Sequence, residues 1–559
     1  MVPESFASPA ESAAPAVARV WPGLGAAAAL LLLYLAAGVW DHGLWSPTEP
    51  AFGGVVWNMA RGAGLFVPRV NEMAYLEKPP LSYWLALPGV KAFGLSAAAL
   101  RLPSALLVLA ALAALHLVAR RLYDPFAAAV AALAAGTMPS VWLVAHRATT
   151  DSAALFFAFL AWAVFLDGLR DEPPARTGGR GREPLLAAIV AVSFLVKNLF
   201  VPYVVLVPVG ATLVALGRFR SLAKLGAWFA LFLALVAAPW AYVLHAEGGW
   251  TFVRVALLDN TVGRFLDLGQ AARIDGTLLD DATTVNRRGA LFYVPYLLLT
   301  SLPWSALVLP SGFAAARRFR GSPVRTFLAF GFPALFVALS ISSSKADEYF
   351  LPAAFFFGLA AAEWTSAQER LEQRRAAFLL GHARVVCGLL AAGAALLAAR
   401  SGGAVPLLGA AAAALALFLV SLRLAPSWRS ASVALALVAV AETAVVGALV
   451  PSLDLQKSPA PFFSELAPEL AGRRVVTDIR DDIHLPLLNW FLDRRVEVLP
   501  DERALVAALR GPRPVAAIVL SSSPIASGRF PAENDLRRVQ AVEGKRKLVA
   551  LLNEPAAPR

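Results

Sequence analysis

The chain has 559 residues, 58% of them hydrophobic and 16% charged, and its mean hydropathy is +0.64. Soluble globular proteins are nearer half apolar and a quarter charged, so this composition excludes a simple soluble enzyme and indicates an all-α polytopic membrane protein. The formal net charge of +12 is read as arginine in cytoplasmic loops, not as a nucleic-acid surface, and no nucleic-acid partner is expected.

In chain order, residues 1–23, with Glu4, Glu11 and Arg19, are expected to form a cytoplasmic tail without a cleavable signal. A helix crossing a bilayer needs about 20 apolar residues. Spans are expected at 24–40, 98–118, 125–144, 150–168, 184–199, 200–216, 225–244, 289–312, 326–341, 348–364, 385–400, 404–422 and 432–450, thirteen in all. Lys197 and Pro202 interrupt the pair at 184–216, and interrupted spans tend to face a cavity. With the N-terminus inside, the basic segments at 120–121, 170–182, 218–224, 317–325, 370–384 and 423–429 become cytoplasmic, as the positive-inside rule requires. The transmembrane domain is then 24–450, with a periplasmic first loop at 41–97. The loops 145–149, 245–288 and 342–347 share that outer side of a bacterial inner membrane. Cys387 stands alone, so no intrachain disulfide or cysteine metal site is possible.

Residues 451–559 change character. Strands are expected at 474–479, 495–499, 515–521 and 547–552, with helices at 485–492 and 502–509 between them. Such alternation predicts a small C-terminal α/β extramembrane domain. Asp478, Asp481, Asp482 and His484 gather at one strand end and read as a solvated turn rather than a metal site.

The chemistry concentrates at one depth. The run Tyr75-Leu-Glu-Lys-Pro-Pro-Leu-Ser-Tyr-Trp84 pairs Glu77 with Lys78 ahead of two prolines that delay a helix until Leu81. Glu49, Asp151, Lys197, Arg264 and Lys345 join them at the outer boundary. Ionisable groups near a bilayer are costly and mark function or a cavity. Snorkelling explains Lys345 but not the acids. Lys78, Lys197, Lys345 and Arg264 suit the phosphate of a polyprenyl-phosphate sugar, whose charge rises when the glycosidic bond breaks. Glu49, Glu77 and Asp151 are the candidate catalytic carboxylates, one of them a general base. Membrane lipids would hold the tail. The rival reading is a lipid or solute transporter with charged broken spans. A catalytically silent relative that serves envelope assembly is a third.

These stretches resemble the lipid A 4-amino-4-deoxy-L-arabinose transferases and, more distantly, the protein O-mannosyltransferases, both GT-C membrane glycosyltransferases. Leu44-Trp-Ser-Pro-Thr-Glu49 is similar to the family's acidic first-loop motif. Gly64-Leu-Phe-Val-Pro-Arg69, the Tyr75 to Trp84 run and Ala99-Leu-Arg-Leu-Pro-Ser104 follow in family order. So do Asp151, Lys197, Asn260 to Phe265, Ser301-Leu-Pro-Trp-Ser305 and Lys345 to Pro352. The resemblance implies inverting transfer of a sugar from a polyprenyl-phosphate donor to a glycolipid, glycan or protein acceptor. It also exposes departures. The family's acidic pair and following basic residue read Thr48, Glu49 and Ala51 here, so Glu49 is expected to stand in for the missing acid. Some members bind a divalent ion through the Glu of the E-K-P motif and a His that is Thr261 here; another family His falls near Asn286. No metal is therefore assigned.

Overall fold

The structure, a computed structural model, describes residues 38–40, 42–170, 182–266, 288–366, 373–400, 405–526, 536–540 and 548–553. The tail, most of the span expected at 24–40, and Asn286 lie outside the described residues.

Helix formation follows local chemistry. Ser96 caps the helix Ala97–Leu122 by accepting from the Ala99 amide at 3.2 Å, and Arg120 and Arg121 sit in its last turn, where cations favour the dipole. Its 26 residues extend about 39 Å at about 1.5 Å per residue. That exceeds a hydrocarbon core of about 30 Å. Six helices among the described residues are long and apolar enough to cross: Ala97–Leu122, Thr150–Leu169, Phe219–Gly263, Pro323–Ile341, Ala376–Arg400 and Val405–Leu422. The chain is thus a multi-pass membrane protein.

Other expected spans are shorter or broken. The run 125–144 divides into Pro125–Gly136 and Pro139–Ala145, bent by 71°. Pro139 has no amide to donate and disfavours helix at Met138, so the apolar run turns. The pair at 184–216 becomes Glu183–Lys197 and Phe200–Ala215, parted at Asn198 with φ of 50°. The run 289–312 becomes a 3₁₀ turn and the helices Val294–Leu299 and Ser305–Arg317. The run 348–364 supplies the 14-residue helix Ala353–Ser366, and 432–450 lies inside Trp428–Lys457. With the bent pair taken as one span, seven crossing segments are present among the described residues.

The bundle packs by small residues and aromatics. A Cβ on Gly358 would lie 2.7 Å from the Ala131 carbonyl oxygen, so the helices Ala353–Ser366 and Pro125–Gly136 meet backbone to backbone. Around them Trp162, Phe327, Phe355 and Phe356 are buried, with Phe327 stacked on Phe356 at 4.6 Å.

Residues 474–553 carry a five-stranded sheet in the order β4-β3-β5-β7-β6. These strands are β3 (Arg474–Thr477), β4 (Glu497–Val498), β5 (Val515–Leu520), β6 (Leu536–Gln540) and β7 (Leu548–Asn553). β3 runs parallel to β4 and β5, and β7 is antiparallel to β5 and β6. The helices His484–Leu492 and Glu502–Leu509 fall between strands. Strand β6 was not foreseen.

This sheet unit does not stand apart from the first loop. Phe52, Tyr75 and Tyr83 share one core with Phe463, Leu485, Leu488 and Ile518. A Cβ on Gly54 would sit 2.6 Å from Pro486 Cβ, so the helix Thr48–Ala60 presses directly on the C-terminal segment.

Candidate functional site

A short hairpin fixes the Glu77–Lys78 loop. Its strands are β1 (Arg69–Val70) and β2 (Met73–Ala74), turned at Asn71 with φ of 55°. Asn58 donates to the Arg69 carbonyl at 2.7 Å, and Asn71 donates to the Val496 carbonyl at 3.0 Å. Beyond the hairpin, Asn260 holds the Leu76 carbonyl at 3.1 Å. Glu77 is buried; Tyr75 donates its hydroxyl to Oε2 at 2.9 Å, and Lys78 Nζ sits 2.5 Å from Oε1. Nearby, burial pushes the Tyr83 phenol well above its ordinary value, and the negative fields of Glu77 and Asp482 add to it. The acidic turn expected to be solvated therefore lies close to the loop, with Asp482 and His484 both buried.

Asp151 and Lys197, from different helices, meet. Lys197 Nζ is 2.6 Å from Asp151 Oδ1, and Thr149 donates to Oδ2 at 2.9 Å. Asp151 occupies the first turn of Thr150–Arg170 and Lys197 the last turn of Glu183–Lys197, so each charge also suits its helix dipole. The Phe200 and Tyr349 rings lie 5.1 and 5.0 Å from the same ammonium.

Lys78 and Lys197 open on one cavity of about 280 Å³. Glu77, Asn198, Asn260 and Thr261 give it polar points, and Phe200, Val262, Phe265 and Leu266 give it apolar walls. Asn198 Oδ1 is buried there without a hydrogen-bond donor among the described residues, leaving an acceptor available to a ligand hydroxyl. Lys345 donates to the Ser342 carbonyl and makes no ion pair among the described residues. Burial holds its ammonium below the ordinary lysine value. Its loop neighbours Ser342, Ser344 and Tyr349 line the cavity. The Arg264 side chain lies outside the described residues; its backbone follows a π-helical stretch, Val255–Gly263.

Glu49 requires correction. Both its carboxylate and the Arg101 side chain are fully buried. Arg101 Nε donates to Oε1 and Nη2 to Oε2, each at 2.7 Å. The Trp45 amide adds 2.7 Å to Oε2, and the Ala148 amide 2.9 Å to Oε1. A carboxylate holding four donors has no free lone pair aimed at a substrate. Glu49 ties the first loop to the second span and to the loop before Asp151; it is not an available base.

Two residues escaped sequence reading. Arg101 was noted only as part of a motif, although a charge at the start of an expected span was the signal. Arg147 has its Nε buried without a partner among the described residues. It lies in the fields of Glu49, Glu348, Arg101 and Asp151. Its position beside Asp151 in the sequence was the available clue.

The donor set does not fit a divalent ion at the E-K-P loop. Both Glu77 oxygens are engaged, one by an ammonium that would repel a cation. The Thr261 hydroxyl donates back to the Leu257 and Leu258 carbonyls.

Comparison with known proteins agrees with this fold. The sequence profile of the dolichyl-phosphate-mannose-protein mannosyltransferase family matches residues 77–242. The chain is 28% identical over 368 residues to undecaprenyl phosphate-alpha-4-amino-4-deoxy-L-arabinose arabinosyl transferase 1 of Pseudomonas fluorescens, covering 64% of this chain and 60% of that protein. A Pseudomonas aeruginosa transferase of the same name is 27% identical over 316 residues, 56% of this chain and 54% of its own length. The chain thus spans little more than half the length of these relatives. Among solved structures, ArnT from Cupriavidus metallidurans bound to undecaprenyl phosphate superposes with a TM-score of 0.75 at 21% identity, over 97% of this chain and 100% of that one. Its apo form gives 0.73 at 19% identity over the same shares. The fold is that of the ArnT structures. The resemblance read from the motifs, to the aminoarabinose transferases and the O-mannosyltransferases, holds.

Proposed function

We propose that this chain is a glycosyltransferase that moves a sugar from a polyprenyl-phosphate donor to a lipid acceptor at the outer face of a bacterial inner membrane. The observation that carries this is the cavity in which Lys78 and Lys197 converge between apolar walls. A cationic floor takes the phosphate, and the apolar side takes the first isoprene units. The relatives named for undecaprenyl phosphate-linked aminoarabinose support a pentose donor of that kind, and the motif resemblance to the lipid A transferases points to lipid A as acceptor. The domain reading of 1–23, 24–450 and 451–559, the thirteen spans and the periplasmic side belong to the same proposal.

In the reaction the bond between the anomeric carbon and the phosphate oxygen breaks, and an acceptor oxygen forms the new bond from the opposite face. The leaving phosphodiester becomes a monoester and gains charge. Lys78, Lys197 and Lys345 stabilise that gain, with Arg264 as a further cation. Glu77 and Asp151 hold Lys78 and Lys197 in place, and Asn198 accepts from a sugar hydroxyl. With Glu49 occupied by Arg101, an acceptor that is already an anionic phosphate fits the chemistry better than a neutral hydroxyl, because it needs no base. Glycan and protein acceptors fit less well for that reason.

Single-turnover transfer of labelled sugar from undecaprenyl phosphate to lipid A tests the reading. Lys78→Ala should abolish it, at a cost of about 2–5 kcal/mol, the range for truncating one partner of a buried charge contact. A folded Lys78→Ala protein with normal transfer would overturn the assignment.

A further inference from the structure

A second charged cavity sits at the other end of the bundle. It measures about 720 Å³ and forms where four segments meet. Arg121 and Leu122 close the helix Ala97–Leu122, and Leu166 and Leu169 come from the last turns of Thr150–Arg170. Arg218 follows the helix Phe200–Ala215, and Arg320 and Ser322 come from the turn before Pro323–Thr326. Asp151 and Leu169 stand 18 residues apart on one helix, or about 27 Å at about 1.5 Å per residue. The cavity is therefore distinct from the Lys78–Lys197 site and separated from it by nearly the thickness of a bilayer core.

Its lining has two tones. Three arginines and the hydroxyls of Ser322 and Thr326 form one side, and leucines with Pro323 and Val324 form the other. No carboxylate lines it among the described residues. The acid beside it, Asp167, is already bound by both Arg121 and Arg182. A soluble anion would use the cations and leave the leucines wet. An amphiphile uses both. Arginine also forks onto phosphate oxygens in a way that a merely topological positive charge does not require.

We infer that this cavity binds the phosphate headgroup of an anionic phospholipid, with the start of an acyl chain on its leucine side. Basic loops place this end of the bundle at the cytoplasmic leaflet, where anionic lipids are drawn to basic pockets between helices.

The test is native mass spectrometry of the full-length protein in detergent, titrated with phosphatidylglycerol, diphosphatidylglycerol, phosphatidylethanolamine and inorganic phosphate. The anionic lipids should be retained over phosphatidylethanolamine, and millimolar inorganic phosphate should not displace them. Arg218→Gln combined with Arg320→Gln should weaken retention about 25-fold, from about fivefold per cation at a membrane surface. Arg320 is exposed in its turn, so Arg320→Gln alone keeps the test available should the double variant misfold. Arg320→Lys should retain charge and recover part of the binding. Equal retention of phosphatidylethanolamine, or unchanged retention in a folded variant, would overturn the inference. Displacement by inorganic phosphate would assign the cavity to a soluble anion and overturn it as well.

Discussion

Glu49→Gln separates a structural acid from a catalytic one. In the protein its carboxylate accepts two bonds of 2.7 Å from Arg101 and two more from the amides of Trp45 and Ala148. Gln keeps the shape and one acceptor oxygen, but turns an NH₂ toward donors and leaves Arg101 uncompensated in a fully buried place. Removing one partner of a buried ion pair costs about 3–5 kcal/mol. Glu49→Gln should therefore lower the melting temperature sharply while turnover per folded molecule stays close to that of the native protein. Replacing Glu49 and Arg101 together by leucine should recover only part of the loss. Arg101 also donates to the His42 carbonyl at 2.8 Å and to the Gly43 carbonyl, and each orphaned acceptor costs about 1–3 kcal/mol. Tryptophan-fluorescence melts and single-turnover transfer on the same preparations make the measurement. Unchanged melting with transfer reduced about 10²–10⁴-fold, the scale for losing a general base, would refute the structural assignment.

Three further outcomes follow from the site. Burial lowers the proton affinity of the Lys345 ammonium; it becomes neutral at a lower pH than a lysine in water, so donor binding should weaken early on the alkaline side. Lys345→Arg should flatten that limb in a binding titration, and an unaltered limb would show that Lys345 does not face the donor. Arg147 has an unsatisfied buried Nε, so Arg147→Gln should leave the ligand-free melt unchanged or raised and diminish stabilisation by added donor; equal stabilisation would remove Arg147 from the site. Residues 458–559 expressed alone should bind a hydrophobic dye and associate, because Phe463, Leu485 and Leu488 lose their cover from the first loop. A soluble, monomeric, dye-silent fragment would show that the shared core is dispensable.

The pairing of buried charges was more legible than the helix boundaries. Lys197 interrupts an apolar run and Asp151 opens another, and the cost of bare charge there predicts a partner; they pair at 2.6 Å. Glu49 was read as a general base, and in the structure its carboxylate is bound by Arg101. Its partner, Arg101, is 52 positions away, and local sequence offers nothing to match the two. Span boundaries were harder to read where backbone chemistry cuts across apolar composition. The run 125–144 is mostly apolar, yet it bends before Pro139. Strand β6 escaped because Leu536–Gln540 includes Arg537 and Arg538 and lies at the sheet edge, where polar strands are common and alternation is weak.

The E-K-P run names which groups meet the cavity, but its geometry is set from far along the chain. Asn71, in the hairpin just before Tyr75, is held by the Val496 carbonyl, 425 positions on. Trp57 reaches Asp493 at 3.1 Å from the neighbouring helix. Tyr75, which positions Glu77 and through it Lys78, is buried in the core completed by the C-terminal segment. A loop tied only at its ends would let an ammonium wander by more than the length of a hydrogen bond. A site needs its groups held to about half an ångström by packed neighbours. The C-terminal segment supplies that packing through Phe463, Leu485, Leu488 and Ile518. The motif thus provides the chemistry, and a region that shares none of its sequence signal fixes where that chemistry can act.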